Sequence, residues 1–351
     1  MDRIKVLVVD DSAFYRQTIS GILKTSSRLE VIGTASNGSD AIRSVTRSRP
    51  DVITLDLEMP MMDGFTFLRW LMTNAPIPVV VISSRSESNN VFKALEWGAV
   101  DFIAKPTQRA SMEIMNLQAD LVTKVEMAAS ISTAKLYQKY QSKTRNAEPA
   151  RPAPAGIRYQ SLVQMVAIGA STGGPPAVQS IITQLPKDFS AAVVVAQHMP
   201  PGFTLYFAER LAKSAKLPVK EGAEGDRVEA GRVYICPGGH HMQLHSSRNG
   251  VQIELKPRTD SDKYTPSVDR MMVSTAEVYG NKVLGILLTG MGSDGKLGMQ
   301  AIKKKGGTTI AESEETSVVF GMPKEAISLG VVDKILPLYQ IPNEVIRRCS
   351  S

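Results

Sequence analysis

Short apolar runs alternate with amphipathic segments over the N-terminal third of the chain. Apolar residues recur at helical spacing within these segments, for example at Phe65, Leu68 and Leu71. Strands that alternate with helices predict a parallel sheet covered on both faces, and five such units are typical of a flavodoxin-like, doubly wound domain. The predicted strands are Lys5–Val9, Leu29–Ala35, Val52–Leu57, Pro78–Ser83 and Asp101–Ala104.

The pattern changes beyond a helix that is predicted to begin near Ser111. Residues 135–158 carry six basic side chains against one acidic side chain, a net charge of +5. The stretch from Glu148 to Gly156 is rich in proline and alanine and has no apolar periodicity, which predicts an extended linker. The predicted parts are a first domain at residues 1–125, a helical extension and basic linker at 126–160, and a second domain at 161–351.

Strand and helix patterns resume from about Val163. Two alternating runs, His241–His245 and Val251–Leu255, flank Ser247-Arg-Asn-Gly250, and an Asn-Gly turn in this setting predicts a β-hairpin. The second domain is therefore predicted to be α/β, a doubly wound and mostly parallel sheet with a hairpin. Its predicted strands are Met165–Gly169, Ala192–Gln197, Arg232–Cys236, Val283–Leu288, Thr308–Ala311 and Val331–Ile335.

The composition favours a globular, cytoplasmic protein. Hydrophobic residues make up 43% of the chain, and no apolar run is long enough to span a bilayer, so we expect no membrane insertion. The start of the chain shows no secretion signal, and the two cysteines, Cys236 and Cys349, have no metal-site or disulfide spacing. The net charge of +7 is spread out, without a basic recognition helix. We therefore expect no nucleic acid partner, since acidic proteins explain the charge equally well.

Charged and hydroxyl side chains follow the predicted strands of the first domain. Asp10 and Asp11 come after the first strand, Asp56 ends the third, Ser83 ends the fourth and Lys105 follows the fifth. Three carboxylates at one sheet edge require a cation, and Mg²⁺ prefers such oxygen ligands. The neutralised carboxylate could attack a phosphoryl group, with the lysine and serine on its oxygens. Helix capping is the alternative for either aspartate alone, but it does not explain five groups together.

Residues 3 to about 125 resemble the receiver domains of response regulators. The motifs that carry the resemblance are Asp10-Asp11, Asp56 with Met59-Pro60 and Asp63-Gly64, Ser83 and Lys105-Pro106. It implies that a histidine kinase phosphorylates Asp56, and that Asp10, Asp11, Asp56 and the backbone carbonyl of Glu58 bind Mg²⁺. Phosphoryl sensing falls to Ser83, Lys105 and Phe102. Because Phe102 stands where many receivers have tyrosine, the hydroxyl-dependent part of the switch is in doubt.

A glycine-rich turn opens the second domain. Gly169-Ala-Ser171-Thr-Gly173 follows a predicted strand, precedes a helix and matches G-x-S-x-G, the turn that lifts a serine hydroxyl above a sheet. Free N–H groups at such a helix start can stabilise an oxyanion. The spacing differs from the G-x-G-x-x-G of dinucleotide sites. On this motif alone, a hydrolase, a nucleotide site and a plain structural turn remain equally open.

Two further strand ends favour the hydrolase. His198 and Asp294 each follow a predicted strand, so with Ser171 they supply a nucleophile, a base and its orienting acid at one sheet edge. The chain order differs from that of α/β-hydrolases, which predicts a different sheet with convergent geometry. Taken singly, the histidine could be a packed residue and the aspartate an Asx turn. A competing metal site is the histidine group His240, His241 and His245, although it has no accompanying carboxylate.

Long motifs of the second domain resemble the chemotaxis response-regulator protein-glutamate methylesterases. They are Gly169–Gly174, Gln197–Phe203, Pro237–Gly239, Leu288–Gly295 and Phe320–Pro323. The resemblance implies hydrolysis of glutamate γ-methyl esters on the cytoplasmic helices of methyl-accepting chemoreceptors, deamidation of receptor glutamines, and a chemotaxis histidine kinase as phosphodonor. It makes Ser171 the nucleophile, His198 the base and Asp294 its partner, with the backbone N–H groups of Thr172 and Met291 as oxyanion donors. Mg²⁺ serves receiver phosphorylation, and ester hydrolysis needs no cofactor.

Two other functions remain in competition with this interpretation. The second domain could be a non-enzymatic output module that binds a partner on phosphorylation, but the intact Ser171, His198 and Asp294 disfavour this reading. Alternatively, it could be a receiver-controlled esterase that acts on a protein other than a receptor. The sequence does not distinguish this last function from receptor demethylation, because it does not identify the substrate.

Overall fold

Two compact units make up the chain, Met1–Ala150 and Arg151–Ser351. The computed structural model describes residues 3–84, 88–105, 111–131 and 163–349. The predicted basic linker and Pro106 lie outside these residues, and the domain boundaries given above stay predictions. Within the described ranges, no helix combines the length and the apolar character needed to cross a membrane.

Strands and helices alternate throughout the described part of the N-terminal unit. The sheet has the order β2-β1-β3-β4-β5 with parallel pairings, so the predicted flavodoxin-like fold is confirmed. Its elements are β1 (Ile4–Val9), α1 (Ala13–Leu23), β2 (Leu29–Ala35), α2 (Gly38–Arg47), β3 (Val52–Leu55), α3 (Gly64–Asn74), β4 (Val79–Ser83), α4 (Ser88–Glu96), β5 (Asp101–Ala104) and α5 (Ser111–Ala129).

Burial and capping explain why these segments take these forms. Every residue of β3 and β4 is buried, as expected of central strands covered on both faces. Ser12, Asn37 and Asp63 each precede a helix and accept a hydrogen bond from an N–H in its first turn. Such caps satisfy backbone donors that have no partner within the helix. The cap at Ser12 thereby fixes the start of α1 beside Asp10 and Asp11.

The C-terminal unit contains a larger parallel sheet of seven strands. Its order is β14-β13-β12-β6-β7-β9-β8, and β10 and β11 form a separate antiparallel hairpin. The elements are β6 (Met165–Ala170), α6 (Gly174–Ile182), β7 (Ala192–Gln197), α7 (Phe203–Ser214), β8 (Val219–Glu221), β9 (Val233–Ile235), β10 (His240–Ser247), β11 (Gly250–Pro257), α8 (Val268–Tyr279), β12 (Val283–Leu287), α9 (Lys296–Lys304), β13 (Thr308–Glu312), α10 (Met322–Ser328), β14 (Lys334–Leu336) and α11 (Ile341–Cys349).

The hairpin and the parallel sheet of this unit agree with the sequence patterns. Ser247 pairs with Gly250, so Arg248 and Asn249 form the two-residue turn that the Asn-Gly signal predicted. The apolar face of the hairpin, with Met242, Leu244 and Ile253, joins the core beneath the sheet. Both predictions about this domain's architecture are therefore confirmed.

Several predicted strands differ from the structure by one residue at an end, and three differences are larger. The strand β8 was not predicted, because the three residues Val219-Lys-Glu221 are too short and polar to show a pattern. The last strand was predicted to begin at Val331, but pairing with β13 starts only at Lys334. Val331 is buried by packing, which gives the same apolar signal as a paired strand. In the first domain β3 ends at Leu55, which places Asp56 just beyond the strand.

Each sheet has a point where the chain changes direction across it. In the first sheet β1 lies between β2 and β3, and in the second sheet β6 lies between β7 and β12. The chain leaves these first strands on one side and later returns on the other. The carboxyl ends of strands at such a switch point border a crevice, which is the usual ligand site of open α/β sheets. The fold therefore predicts one site beyond β1 and β3 and a second beyond β6, β7 and β12.

The close packing of Gly64 against the end of β3 gives a prediction about stability. A Cβ on this glycine would lie 2.2 Å from the backbone oxygen of Asp56 and 2.8 Å from the Cα of Leu57. Backbone atoms cannot move aside as a flexible side chain can. We expect Gly64→Ala to lower the free energy of unfolding of the N-terminal unit by about 1–3 kcal/mol, measured in urea.

A matched control lies in α1. Gly21 is exposed and has no atom within 4 Å of a Cβ position, so Gly21→Ala should raise stability by about 0.5–1 kcal/mol. Both tryptophans of the chain, Trp70 and Trp97, lie in this unit, so their fluorescence reports its unfolding alone. Equal effects of the two substitutions would contradict the packing argument.

Candidate functional site

The first site is a group of charged side chains at the carboxyl edge of the N-terminal sheet. Asp10, Asp11 and Asp56, hereafter the acidic cluster, each place a carboxylate oxygen within 4.8 Å of the others. The Nζ of Lys105 lies 2.7 Å from Oδ2 of Asp56 and 3.1 Å from Oδ2 of Asp10. Backbone hydrogen bonds set the spacing, because the N–H of Asp56 donates to the carbonyl of Val9 over 2.9 Å.

Burial dominates the electrostatics of the acidic cluster. It raises the pKa of Asp56 to about 6 although Lys105 opposes the shift, and it also raises the pKa of Asp10. Burial alone would lower the pKa of Lys105, but its two carboxylate partners outweigh burial and raise it. Two buried carboxylates that share one ammonium group are thus incompletely neutralised, and a further cation would favour their ionised forms.

The residues of the acidic cluster fit Mg²⁺. They offer only oxygen ligands from three side chains, and Asp11 is exposed, so water could complete a coordination shell. Oδ2 of Asp10 is buried, and its ion-pair partner is the Lys105 ammonium at 3.1 Å, which also serves Asp56. These three side chains would therefore hold the ion.

The remaining predicted residues of the first site lie around this cluster. Ser83, the last residue of β4, is fully buried and its carbonyl accepts a hydrogen bond from the N–H of Lys105 over 2.7 Å. The N–H of Glu58 points to Asp56 at 3.4 Å. Phe102 is 2% exposed and lies edge-on to another aromatic ring, with centroids 6.5 Å apart. Phe102 is therefore packed inside the domain, and its role in phosphoryl sensing stays a prediction.

The second site lies where β6, β7 and β12 end side by side. Ala170 closes β6 and pairs with Gln197, which closes β7, so Ser171 and His198 follow neighbouring strand ends. The N–H of His198 donates to the carbonyl of Ala170 over 3.0 Å. On the other side, the N–H of Ser171 donates to the carbonyl of Thr289 over 3.0 Å. The structure thereby sets the serine between the loops that follow β7 and β12.

Two polar side chains brace these turns, and the sequence reasoning gave neither of them a role. The amide of Gln197 donates to the carbonyls of Ser171 at 2.8 Å and His198 at 3.2 Å. The hydroxyl of Thr289 donates to the carbonyl of Thr172 over 2.9 Å. Each bracing residue lies inside a motif of the sequence, Gln197–Phe203 or Leu288–Gly295, but only the folded arrangement shows what it contacts.

Asp294 connects the histidine to the start of helix α8. Its Oδ2 lies 2.8 Å from Nε2 of His198 and accepts the N–H of Val268 over 2.7 Å. Its Oδ1 accepts the N–H of Asp269 at 2.9 Å and the hydroxyl of Ser267 at 3.1 Å. Burial alone would raise the pKa of Asp294, but these donors outweigh burial and hold the pKa below its usual range. An ionised carboxylate only accepts, so Nε2 carries the proton and Nδ1 is the free ring nitrogen.

The carboxylate of Asp269 in turn accepts hydrogen bonds from the backbone that follows Asp294. Its Oδ1 accepts the N–H groups of Gly295 at 2.8 Å and Gly298 at 2.7 Å, at the start of α9. Burial raises its pKa to about 6, the nearby charge of Asp294 adds to the rise, and the two N–H donors oppose it. Each aspartate therefore caps the helix of the other. No sequence motif marks Asp269, because the two segments are distant along the chain.

The predicted oxyanion donors flank the serine. A Cβ on Gly290 would lie 2.7 Å from Cβ of Ser171, so the backbone before Met291 packs directly against the serine. On the other side, Thr172 is buried, and Gly173 has a φ of 76° that lets the chain turn into α6. Thr172 and Met291 thus bracket the serine, and their role as donors stays a prediction.

The hairpin histidines do not form a site together. His241 is fully buried, whereas His240 and His245 are exposed on the same strand. Nδ1 of His241 accepts the N–H of Ser267 over 3.2 Å, and its Nε2 lies 3.0 Å from Oδ2 of Asp262. Among the residues that the structure describes, the acidic cluster is the one group suited to a metal. The alternative of a histidine metal site therefore finds no support in them.

Comparisons with known proteins find a family match for each of the two predicted domains. A family model described as CheB methylesterase matches residues 166–345, and one of the response regulator receiver domain matches residues 6–115. The chain is 49% identical to protein-glutamate methylesterase/protein-glutamine glutaminase 3 of Geobacter sulfurreducens, over 99% of this chain and 98% of that protein. It is 42% identical to the methylesterase/glutaminase of Pyrococcus horikoshii, over 98% and 93% of the two chains.

A solved structure also matches the second unit. The crystal structure of the Thermotoga maritima CheB methylesterase catalytic domain has a TM-score of 0.51 and 46% sequence identity, covering 52% of this chain and 97% of that one. The family models and the full-length relatives extend the likeness to both predicted domains. The chain therefore belongs to the CheB methylesterase family, with a response regulator receiver domain followed by a methylesterase domain.

Proposed function

We propose that this chain is a phosphorylation-activated serine hydrolase that removes methyl groups from glutamate γ-methyl esters on chemoreceptor cytoplasmic helices. The observation that carries the proposal is the pair of His198 and Asp294, 2.8 Å apart, at a strand end adjacent to that of Ser171. Relatives named protein-glutamate methylesterase/protein-glutamine glutaminase support the same substrate, and they support deamidation of receptor glutamines as a second reaction.

The geometry suits a two-step ester hydrolysis. The hydroxyl oxygen of Ser171 attacks the ester carbonyl while Nδ1 of His198 takes its proton, and Asp294 stabilises the imidazolium through Nε2. The N–H groups of Thr172 and Met291 stabilise the oxyanion. As the bond between the carbonyl carbon and the methoxy oxygen breaks, the imidazolium gives its proton to that oxygen, methanol leaves and the glutamyl group stays on the serine. Water then attacks this acyl-enzyme, frees the glutamate carboxylate and restores the serine.

Regulation begins at the acidic cluster of the receiver. Asp56 takes the phosphoryl group from a chemotaxis histidine kinase, and Asp10, Asp11, Asp56 and the carbonyl of Glu58 would hold Mg²⁺. The ion, when bound, offsets the negative charge of the cluster and of the incoming phosphoryl group. Lys105 and Ser83 contact the phosphoryl oxygens, and Phe102 responds to their inward movement. Ester hydrolysis itself uses no cofactor, and the protein acts in the cytoplasm.

We expect Asp56→Asn to abolish phosphorylation, because the amide is a poor nucleophile toward phosphorus. Intact mass spectrometry after incubation with acetyl phosphate and Mg²⁺ should show a phosphoprotein for the wild type and none for the variant. Chelation of Mg²⁺ should also prevent labelling of the wild type. Asp63→Asn is a matched control, since Asp63 lies in the same loop but caps α3. Undiminished labelling of Asp56→Asn would refute the assignment.

Substitution of the triad should remove the esterase activity. We expect Ser171→Ala and His198→Ala each to lower kcat by about 10⁶, and the double variant to be scarcely worse because the residues act as a unit. Asp294→Ala should be milder, with kcat lowered by about 10⁴. The assay is methanol release from a methylated chemoreceptor fragment.

The control for these variants is a histidine outside the triad. His245 is exposed on the hairpin, so His245→Ala should keep wild-type activity, and a chelator of transition metals should have no effect. Activity retained by Ser171→Ala would exclude the covalent serine mechanism. Loss of activity in His245→Ala would instead support the alternative metal site at the hairpin histidines. Replacing the receptor fragment with other methylated proteins separates receptor demethylation from a different esterase function.

The receiver should hold the hydrolase in a less active state until Asp56 is phosphorylated. A tenfold activation needs about 1.4 kcal/mol of differential stabilisation of the active state, which a phosphoryl group and its contacts can supply. We expect the fragment 150–351 to be faster than the unphosphorylated full chain, and phosphodonor to activate only the full chain. Methanol release by each form, with and without acetyl phosphate, measures this.

The full chain with Asp56→Asn serves as the control, since it should stay at the basal rate with phosphodonor present. A fragment no faster than the unphosphorylated full chain would contradict inhibition by the receiver. The receiver would then have to act by recruitment of substrate or by direct activation.

A further inference from the structure

We propose that Tyr264 is a positioning residue of the triad, whose ring fixes the His198 imidazole and stabilises its protonated form. This inference rests on the proposed function, because it takes His198 to be the base. Tyr264 lies between the hairpin and α8, outside every motif that marks the site in the sequence. Its assignment therefore depends on the folded arrangement alone.

The first observation is the stacking of the two rings. Their planes differ by 6° and their centroids lie 4.7 Å apart. The edge of the imidazole faces Asp294, so the phenol ring covers a face and limits the exposed fraction of the His198 side chain to 13%. The electron-rich face of an aromatic ring attracts a cation within about 6 Å. The ammonium of Lys263 also approaches this ring, at 5.2 Å, but it is exposed and screened by water.

This contact is selective for the reacting state. In the proposed reaction His198 gains a positive charge when it takes the proton of Ser171, so attraction by the ring strengthens at that step. An interaction that is stronger in the transition state than in the ground state raises kcat and leaves KM nearly unchanged. A residue that only bound substrate would change KM instead.

The second observation places the same side chain against the oxyanion loop. A Cβ on Gly292 would lie 2.3 Å from the hydroxyl oxygen of Tyr264, so only glycine allows this approach. The φ of Gly292 is 84°, a conformation that other residues rarely adopt. Gly292 follows Met291 directly, whose N–H is a proposed oxyanion donor. One aromatic side chain thus contacts both the base and the loop that stabilises the oxyanion.

The segment that carries Tyr264 is clamped on both sides. Before it, Asp262 accepts the N–H of Thr259 at 2.7 Å and its hydroxyl at 2.8 Å. After it, the N–H of Ser267 donates to Nδ1 of His241, whose Nε2 reaches back to Asp262 at 3.0 Å. The buried histidine therefore links the two ends of the segment that carries the ring. This arrangement gives a role to the histidine that the hairpin buries.

The test compares Tyr264→Phe with Tyr264→Leu in the full chain. Both assays use acetyl phosphate, Mg²⁺ and a methylated chemoreceptor fragment. Tyr264→Phe keeps the ring and should retain kcat within about threefold, whereas Tyr264→Leu should lose about tenfold in kcat with KM changed less than about twofold. Tyr264→Met, which fills the space with a flexible side chain, should match the leucine variant and replaces it if leucine prevents folding.

A second measurement is independent of the protein substrate. A fluorophosphonate ester labels an activated serine, and its rate of labelling should fall about tenfold in Tyr264→Leu and little in Tyr264→Phe. Ser171→Ala should show neither labelling nor activity. If it does so while Tyr264→Leu keeps the wild-type kcat and labelling rate, or changes only KM, the role of Tyr264 is refuted. If Ser171→Ala remains active, the proposed function fails instead.

Discussion

In a parallel sheet, the carboxyl ends of neighbouring strands emerge at one edge, and both sites of this chain are built at such an edge. The constraint acts through backbone hydrogen bonds, which join Asp56 to Val9 and His198 to Ala170. Side chains that are far apart in sequence thereby reach one another over a few ångströms. The chemistry differs completely between the two edges, since one gathers carboxylates around an ammonium group and the other gathers a serine, a histidine and a carboxylate.

The two sheet edges also differ in how the protein stabilises their buried carboxylates. In the receiver, burial raises the pKa of Asp56 to about 6, because Lys105 neutralises the acidic cluster only in part. That incomplete neutralisation suits a site for a divalent ion and a phosphoryl group. In the hydrolase, Asp294 receives hydrogen bonds from His198 and the start of α8, which hold its pKa below the usual range. A carboxylate that favours its ionised form suits the role proposed for it beside the His198 imidazolium.

At the hydrolase site, hydrogen bonds between two helix starts hold the side chains in position. Asp294 caps α8 and Asp269 caps α9, so neither loop can shift without breaking the cap of the other. The clamped segment between the hairpin and α8 adds Tyr264 to the same assembly. The proposed catalytic groups thus belong to a network of hydrogen-bonded helix starts, which limits the movement needed during the proposed reaction.

The sequence by itself determined the fold class of both domains and most of the predicted site residues, because periodicity and strand-end motifs are local signals. Gly169–Gly174 and Asp10-Asp11 show their chemistry within a few residues. Only the tertiary structure assigned contacts to Asp269, Tyr264 and His241, and chose Nε2 of His198 as the nitrogen that faces Asp294. These contacts join segments separated by tens of residues. Such distances leave no local pattern, and only packing decides which atoms meet.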